Sequence, residues 1–121
     1  MSEAERRRAY RHGRLAEALC RLTLRLKGYR VLASDFRVPV GEIDIVARRG
    51  RTLAIVEVKA RASLAAAAEA ITPRQQRRIA RAAEAYLALH PAAAGLALRF
   101  DVMLVRRWRL PRHVRSAWRL E

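Results

Sequence analysis

Residues 41–59 constrain this chain more than any other stretch. They read Gly-Glu-Ile-Asp-Ile-Val-Ala-Arg-Arg-Gly-Arg-Thr-Leu-Ala-Ile-Val-Glu-Val-Lys. Two apolar runs flank a basic turn at Gly50, the pattern of a β-hairpin. Glu42, Asp44, Glu57 and Lys59 are set into those runs. Carboxylates are depleted in strands and costly to bury unpaired. Three of them and a lysine in the most strand-like part of the chain therefore need a chemical reason.

Alternation along a strand puts Glu42 and Asp44 on one face of the first arm. It puts Glu57, Lys59 and Arg61 on one face of the second. Whether the two sets meet depends on the turn, because facing residues in a regular antiparallel pair have a constant index sum. A four-residue loop over 49–52 sets Arg48 against Leu53, Asp44 against Glu57 and Glu42 against Lys59. A two-residue turn pairs Asp44 with Ile55 and leaves Glu57 on the diagonal. A three-residue loop separates the carboxylates onto opposite faces.

Facing carboxylates repel unless a cation lies between them. Oxygen ligands of this kind suit Mg²⁺ or Mn²⁺. Such an ion acidifies water and stabilises charge growing on a phosphodiester. Lys59, two residues beyond Glu57, supplies a fixed positive charge beside it. The spacing thus fits phosphodiester hydrolysis, with Asp44, Glu57 and Lys59 as the central residues. The competing reading is a lattice of ion pairs on a solvated sheet face. Glu42 stands between a metal ligand and a simple partner for Lys59.

Charge points the same way. The chain carries 26 Lys and Arg against 11 Asp and Glu, a net charge of +15. A folded domain this basic repels itself, and a polyanion relieves that repulsion. Nucleic acid is the expected partner, DNA ahead of RNA, and an anionic membrane surface comes second. No basic amphipathic helix with bulky aromatics argues for a membrane surface. At 121 residues the chain is expected to form one domain. The single cysteine, Cys20, rules out an intrachain disulfide or a CxxC zinc pair. With no leader-like or membrane-spanning run, the expected location is cytoplasmic.

Along the chain, residues 1–10 read as a flexible basic N-terminus, 11–106 as the folded domain and 107–121 as a basic tail. A helix is expected from about Arg11 to Lys27. Leu15, Leu19, Leu22 and Leu26 form one stripe; Gly13, Glu17, Cys20 and Leu24 form a second row roughly opposite. Apolar rows on two sides imply unusual burial. Strands follow at 29–36, 42–48 and 53–61. Residues 62–71 read as a loop or short helix. Thr72 caps a helix with Pro73 at its first position and Gln75 as capping-box partner. That helix ends near His90, and a fourth strand runs from Leu98 to Val105. Asp101 is expected to partner an arginine, and Cys20 to be a small buried hydrophobe. Trp108 and Trp118 are expected to pack on the core or an edge rather than stack on bases.

Asp44…Glu57-Val58-Lys59 resembles the PD-(D/E)xK nuclease signature. The longer pattern takes in Glu17 on an early helix, Gly28-Tyr29, Gly41-Glu42-Ile43-Asp44, Val56-Glu57-Val58-Lys59-x-Arg61 and Arg99-Phe100-Asp101-Val102. Over about residues 11–106 it resembles the YraN-like family of small predicted endonucleases, similar to archaeal Holliday junction resolvases. The resemblance implies an α/β, restriction-endonuclease-like fold: a central mixed sheet flanked by helices, with the hairpin carrying the site. It implies Asp44 and Glu57 as metal ligands, Lys59 as the catalytic lysine and Glu17 as a further acidic site residue holding metal. The signature's proline-aspartate pair is absent, Pro39 lying five residues before Asp44. Gln75 stands where such proteins often carry a lysine. The expected function is Mg²⁺- or Mn²⁺-dependent cleavage of DNA, branched or damaged forms included, and cutting a four-way junction would favour a homodimer. The rival is a non-catalytic nucleic-acid-binding accessory protein with a vestigial site.

Overall fold

The computed structural model describes residues 2–119, side chains of 8–12 excepted. The elements are α1 (Glu3–Leu26), β1 (Arg30–Val38), β2 (Gly41–Arg49), β3 (Thr52–Ala60), α2 (Leu64–Ala70), α3 (Pro73–Leu89), β4 (Ala97–Val105) and β5 (Arg112–Trp118). A 3₁₀ turn at Pro91–Ala93 leads into β4. The five strands form one sheet in the order β1-β2-β3-β4-β5. All neighbours are antiparallel except β3 and β4, which run parallel through the α2–α3 crossover.

The sheet carries an apolar layer on each face. Ile45, Ala47, Ala54, Val56 and Met103 pack with Cys20 and Leu24 of α1. Val46, Leu53, Ile55 and Phe100 pack with Ile79, Ala83 and Tyr86 of α3. A helix on either side of a mixed sheet is the usual way to bury strands that are apolar on both faces. Gly41 matters to this packing: a Cβ there would lie 1.9 Å from the Arg78 carbonyl oxygen of α3. Only glycine lets the α3 backbone seat this close to the start of β2.

Local signals set several boundaries. Thr72 Oγ1 accepts from Gln75 N at 3.2 Å and Pro73 opens α3, as the sequence indicates. Ser63 caps α2 by accepting from Ala66 N, so residues 64–70 are helical. The first helix begins at Glu3, eight residues before its expected start. Ser2 caps it by accepting from Glu5 N, and Glu3 and Glu5 suit the positive end of its dipole.

Two expectations are corrected. The leucine stripe of α1 is not core: Leu15 and Leu26 are 67% and 81% exposed, with Leu19 and Leu22 also on the surface. The buried row is Ala16, Cys20 and Leu24. Its smaller residues let α1 lie close against Ala47 and Ala54 of the sheet. The second correction is in the tail, where residues 112–118 add a fifth strand to the sheet. Trp118 stacks on Phe100 with ring centroids 4.2 Å apart, so this tryptophan covers the core.

Candidate functional site

The hairpin turn has two residues, but it lies one residue later than the two-residue turn expected to pair Asp44 with Ile55, and so gives the register of the four-residue loop. Pairing continues to Arg49↔Thr52, leaving Gly50 and Arg51 as a two-residue turn. Gly50 takes φ +60 at the first turn position, a conformation glycine adopts without strain. Arg48 lies opposite Leu53 and Ile45 opposite Val56, so the next residues in line are Asp44 and Glu57.

There the two strands part. The backbone ladder between β2 and β3 ends at Ile45↔Val56. Val58 N donates instead to Asp44 Oδ2 at 2.8 Å. The Asp44 carboxylate thus takes the place of a backbone acceptor, where β2 and β3 fork. The Asp44 and Glu57 carboxyls also meet in a hydrogen bond, which acts to lower the Asp44 pKa and to raise that of Glu57.

β1 reaches the same point through a bulge. Its pairs with β2 shift register between Val31 and Ala33. From there Ser34↔Ile45 and Phe36↔Ile43 bracket Asp35 and set it level with Asp44. Ala33 and Phe36, three apart, both pack on the α3 side, as do Ile43 and Val46. Plain alternation would place the members of each pair on opposite faces. Both strands therefore break their pleat at Asp35 and Asp44, and Asp35 takes φ +50.

Glu17 of α1 completes the group. Glu17, Asp35 and Asp44 each place a carboxylate oxygen within 4.8 Å of the others. Glu17 and Asp35 also share a hydrogen bond. From the other side Lys59 Nζ lies 3.4 Å from Glu57 Oε1. Gln75 Nε2 donates to that same oxygen at 3.3 Å. Gln75 is thus only half of a capping box: its backbone N–H meets Thr72 while its side chain is committed to Glu57.

Electrostatics follow from this crowding. Burial pushes Glu57 up to about 8, and the neighbouring Asp44 charge adds to the rise, against the pull of Lys59. Burial likewise carries Glu17 to about 7, with Asp44 and Asp35 contributing. Asp44 is raised by burial against its hydrogen bonds from Val58 N and Glu57 and the charge of Lys59. Crowded, half-buried carboxylates of this kind favour their protonated forms unless an opposite charge offsets theirs.

The structure brings Asp44, Glu57, Lys59 and Glu17 into one locus, but the close three-carboxylate group is Glu17, Asp35 and Asp44, with Glu57 outside that group and reaching it through Asp44. It does not bring Glu42 there: Glu42 is exposed with Arg37 as its cross-strand neighbour, and Lys59 pairs with Glu57 instead. Asp35 and Gln75 are members that sequence reasoning did not place. For Asp35 the available signal was the same as for Asp44, a carboxylate set into a strand. Asp101, by contrast, is fully buried and accepts from Arg99, His113 and Ser116 N, which makes it an arginine partner as expected. Cys20 is fully buried beside Leu24. Among the described residues, no helix is long and apolar enough to cross a membrane.

Fold and site together define a small, strongly basic mixed α/β domain whose central hairpin forks around clustered carboxylates and a lysine. The model of "Uncharacterised protein family UPF0102" matches residues 16–105. A UPF0102 protein of Parvibaculum lavamentivorans is 60% identical over 113 residues, covering 92% of this chain and 84% of the relative. One from Methylorubrum extorquens is 53% identical over 118 residues, covering 98% and 92%. Another from Paramagnetospirillum magneticum is 51% identical over 117 residues, covering 93% and 91%. The chain belongs to the UPF0102 (YraN-like) family.

Proposed function

We propose that this chain is a divalent-metal-dependent nuclease of restriction-endonuclease-like fold that hydrolyses phosphodiester bonds in DNA. One observation carries the reading. Asp44 sits where β2 and β3 fork, in contact with Glu57, while Lys59 pairs with Glu57. Glu17 and Asp35 close on Asp44 from α1 and β1.

The donor set fits Mg²⁺ or Mn²⁺. It is built of carboxylate oxygens, with no sulfur or imidazole among the grouped residues. Asp44 and Glu57 would hold the ion, with Glu17 and Asp35 supporting. Bound there, it would supply Lewis acidity, acidifying water and offsetting the charge that builds on a phosphodiester. The chain's own residues do the rest. Val58 N fixes one Asp44 oxygen. Gln75 and Lys59 fix Glu57 Oε1. The Lys59 ammonium provides a preorganised positive charge for the phosphate in the transition state. The net charge of +15 draws the polyanion to the surface and makes its binding salt-dependent.

The test is cleavage of linear, flap and four-way DNA substrates with Mg²⁺ or Mn²⁺. Cleavage is expected to disappear in Asp44→Ala and to fall roughly 10²- to 10³-fold in Lys59→Ala. If no substrate is cut, or if both variants cut like the parent, the enzyme reading is lost. Salt-steep DNA binding without any cutting would instead identify a non-catalytic binding protein.

A further inference from the structure

The parallel strands β3 and β4 end side by side, with Ala60 opposite Val105 and Lys59 opposite Leu104. In open α/β sheets ligands bind in the crevice beyond the carboxyl ends of such strands. Here that crevice is a cleft of about 520 Å³ lined by Arg61, Arg106, Arg107 and Arg109, together with small or apolar neighbours and no carboxylate. It begins one residue beyond Lys59. Arg61 gives one hydrogen bond to the Ala60 carbonyl at 2.9 Å. Arg106 Nε is buried and has no hydrogen-bond partner in the structure. A buried guanidinium donor left unmatched is costly and calls for an acceptor.

The loop that supplies three of these arginines also presents Trp108. Its side chain is 92% exposed and its backbone takes φ +61, a conformation rare for a bulky residue. The Arg107 guanidinium lies 6.0 Å from the Trp108 ring centroid. Trp118, at the far end of the same β-hairpin, is stacked on Phe100. A tryptophan held in water in the midst of arginines does nothing for the core. It is the combination of aromatic platform and backbone-binding charge that suits unpaired nucleotides.

We propose that the cleft beyond β3 and β4 is a subsite for single-stranded DNA, in which Arg61, Arg106 and Arg109 hold backbone phosphates and Trp108 stacks on an unpaired base. The inference rests on the nucleic-acid reading of the carboxylate site and deepens it. It selects substrates with unstacked nucleotides next to the cut, such as flaps and single-stranded arms, over uninterrupted duplex.

The experiment measures binding by fluorescence anisotropy in EDTA, so that cleavage plays no part. The probes are a short labelled oligothymidylate, a flap substrate and a blunt duplex. Trp108→Ala is expected to weaken binding to the first two by roughly five-fold or more and leave the duplex within about two-fold. Trp108→Phe, which keeps a ring, is expected to restore most of the loss. Arg106→Ala is expected to reduce the slope of log K against log salt by about 0.7 on the oligothymidylate. Equal binding of oligothymidylate by parent and Trp108→Ala overturns the proposal. So does an equal loss on all three probes. Either outcome leaves the nuclease reading standing if cleavage depends on Asp44, and an inactive protein that passes these binding arms would overturn the nuclease reading alone.

Discussion

One buried carboxylate and one cluster of carboxylates meet at this sheet, and they are treated in opposite ways. Asp101 in β4 is wholly buried and fully answered. Arg99 reaches it through Nε and Nη2, both at 2.8 Å, with His113 Nε2 also at 2.8 Å and Ser116 N at 3.1 Å. Burial acts to raise its pKa, but the hydrogen bonds from His113, Arg99 and Ser116 N outweigh burial and hold it below the ordinary range. The group at Glu17, Asp35, Asp44 and Glu57 has the reverse balance. Lys59 pairs with Glu57 and the Arg21 charge pulls on Glu17, yet burial and the members' mutual charge outweigh both and raise the pKa values of Glu17 and Glu57. Negative charge matched on all sides stabilises a fold. Negative charge gathered in excess costs stability, and such sites cluster where a function needs them. The contrast separates a structural network from the site proposed above to take a cation.

The largest effect that tests the contrast is on stability. Asp101→Ala would strand Arg99 and His113 and is expected to cost about 3–5 kcal/mol, lowering the thermal midpoint by roughly 10 °C or more. Asp44→Asn keeps an oxygen for Val58 N while removing a charge from the crowded group. In metal-free protein it is expected to leave stability unchanged or raise it by up to about 2 kcal/mol. If Asp44→Asn destabilises as much as Asp101→Ala, both groups are structural lattices and the contrast fails.

A smaller effect is the pH dependence of metal-free protein, where the two groups carry opposite signs. Asp101 has a depressed folded pKa, so its contribution is present above its ordinary value of 3.8 and is lost as pH falls through the folded value. Glu17 and Glu57 have folded values raised from 4.5 to about 7 and about 8. The folded state then holds protons that the unfolded chain has released, and stability falls as pH rises from about 4.5 towards 8. Thermal melts in EDTA across that range should show the decline, and Glu57→Gln should flatten its upper part. A midpoint that stays level or rises over the same range would contradict the crowding.

The sequence made much of this legible, and each gap has a physical cause. The hairpin was readable because apolar positions and Gly50 fix both arms; the turn proved two residues long, and its placement at Gly50-Arg51, one residue later than a turn that would pair Asp44 with Ile55, kept Asp44 in line with Glu57. The α3 start was readable because Thr72-Pro73 is a local signal. The burial of α1 was not, since periodicity finds an apolar stripe without saying which stripe meets the sheet. There the smaller row of Ala16, Cys20 and Leu24 won. Asp35 stayed hidden for a register reason. Arg30↔Arg48 and Val31↔Ala47 have an index sum of 78, which would set Asp35 against Ile43; past the bulge the sum is 79, which brings it to Asp44. One unpaired residue decides this, and no alternation pattern reveals it. β5 was missed because arginines interrupt its apolar positions and Ser116, at φ +50, breaks its regularity. Trp108 was expected to pack and instead stands in solvent.

The central claim is that the forked hairpin holds a divalent cation in exchange for protons. Calorimetric titration of Mn²⁺ near pH 7, repeated in buffers of different ionisation enthalpy, tests it directly. The account predicts saturable binding with release of roughly one to two protons, as expected when Glu57 and Glu17, at about 8 and about 7, give up theirs to a metal. It also predicts that binding is lost in Asp44→Asn. Absence of binding, or binding that releases no protons and survives Asp44→Asn, would contradict it.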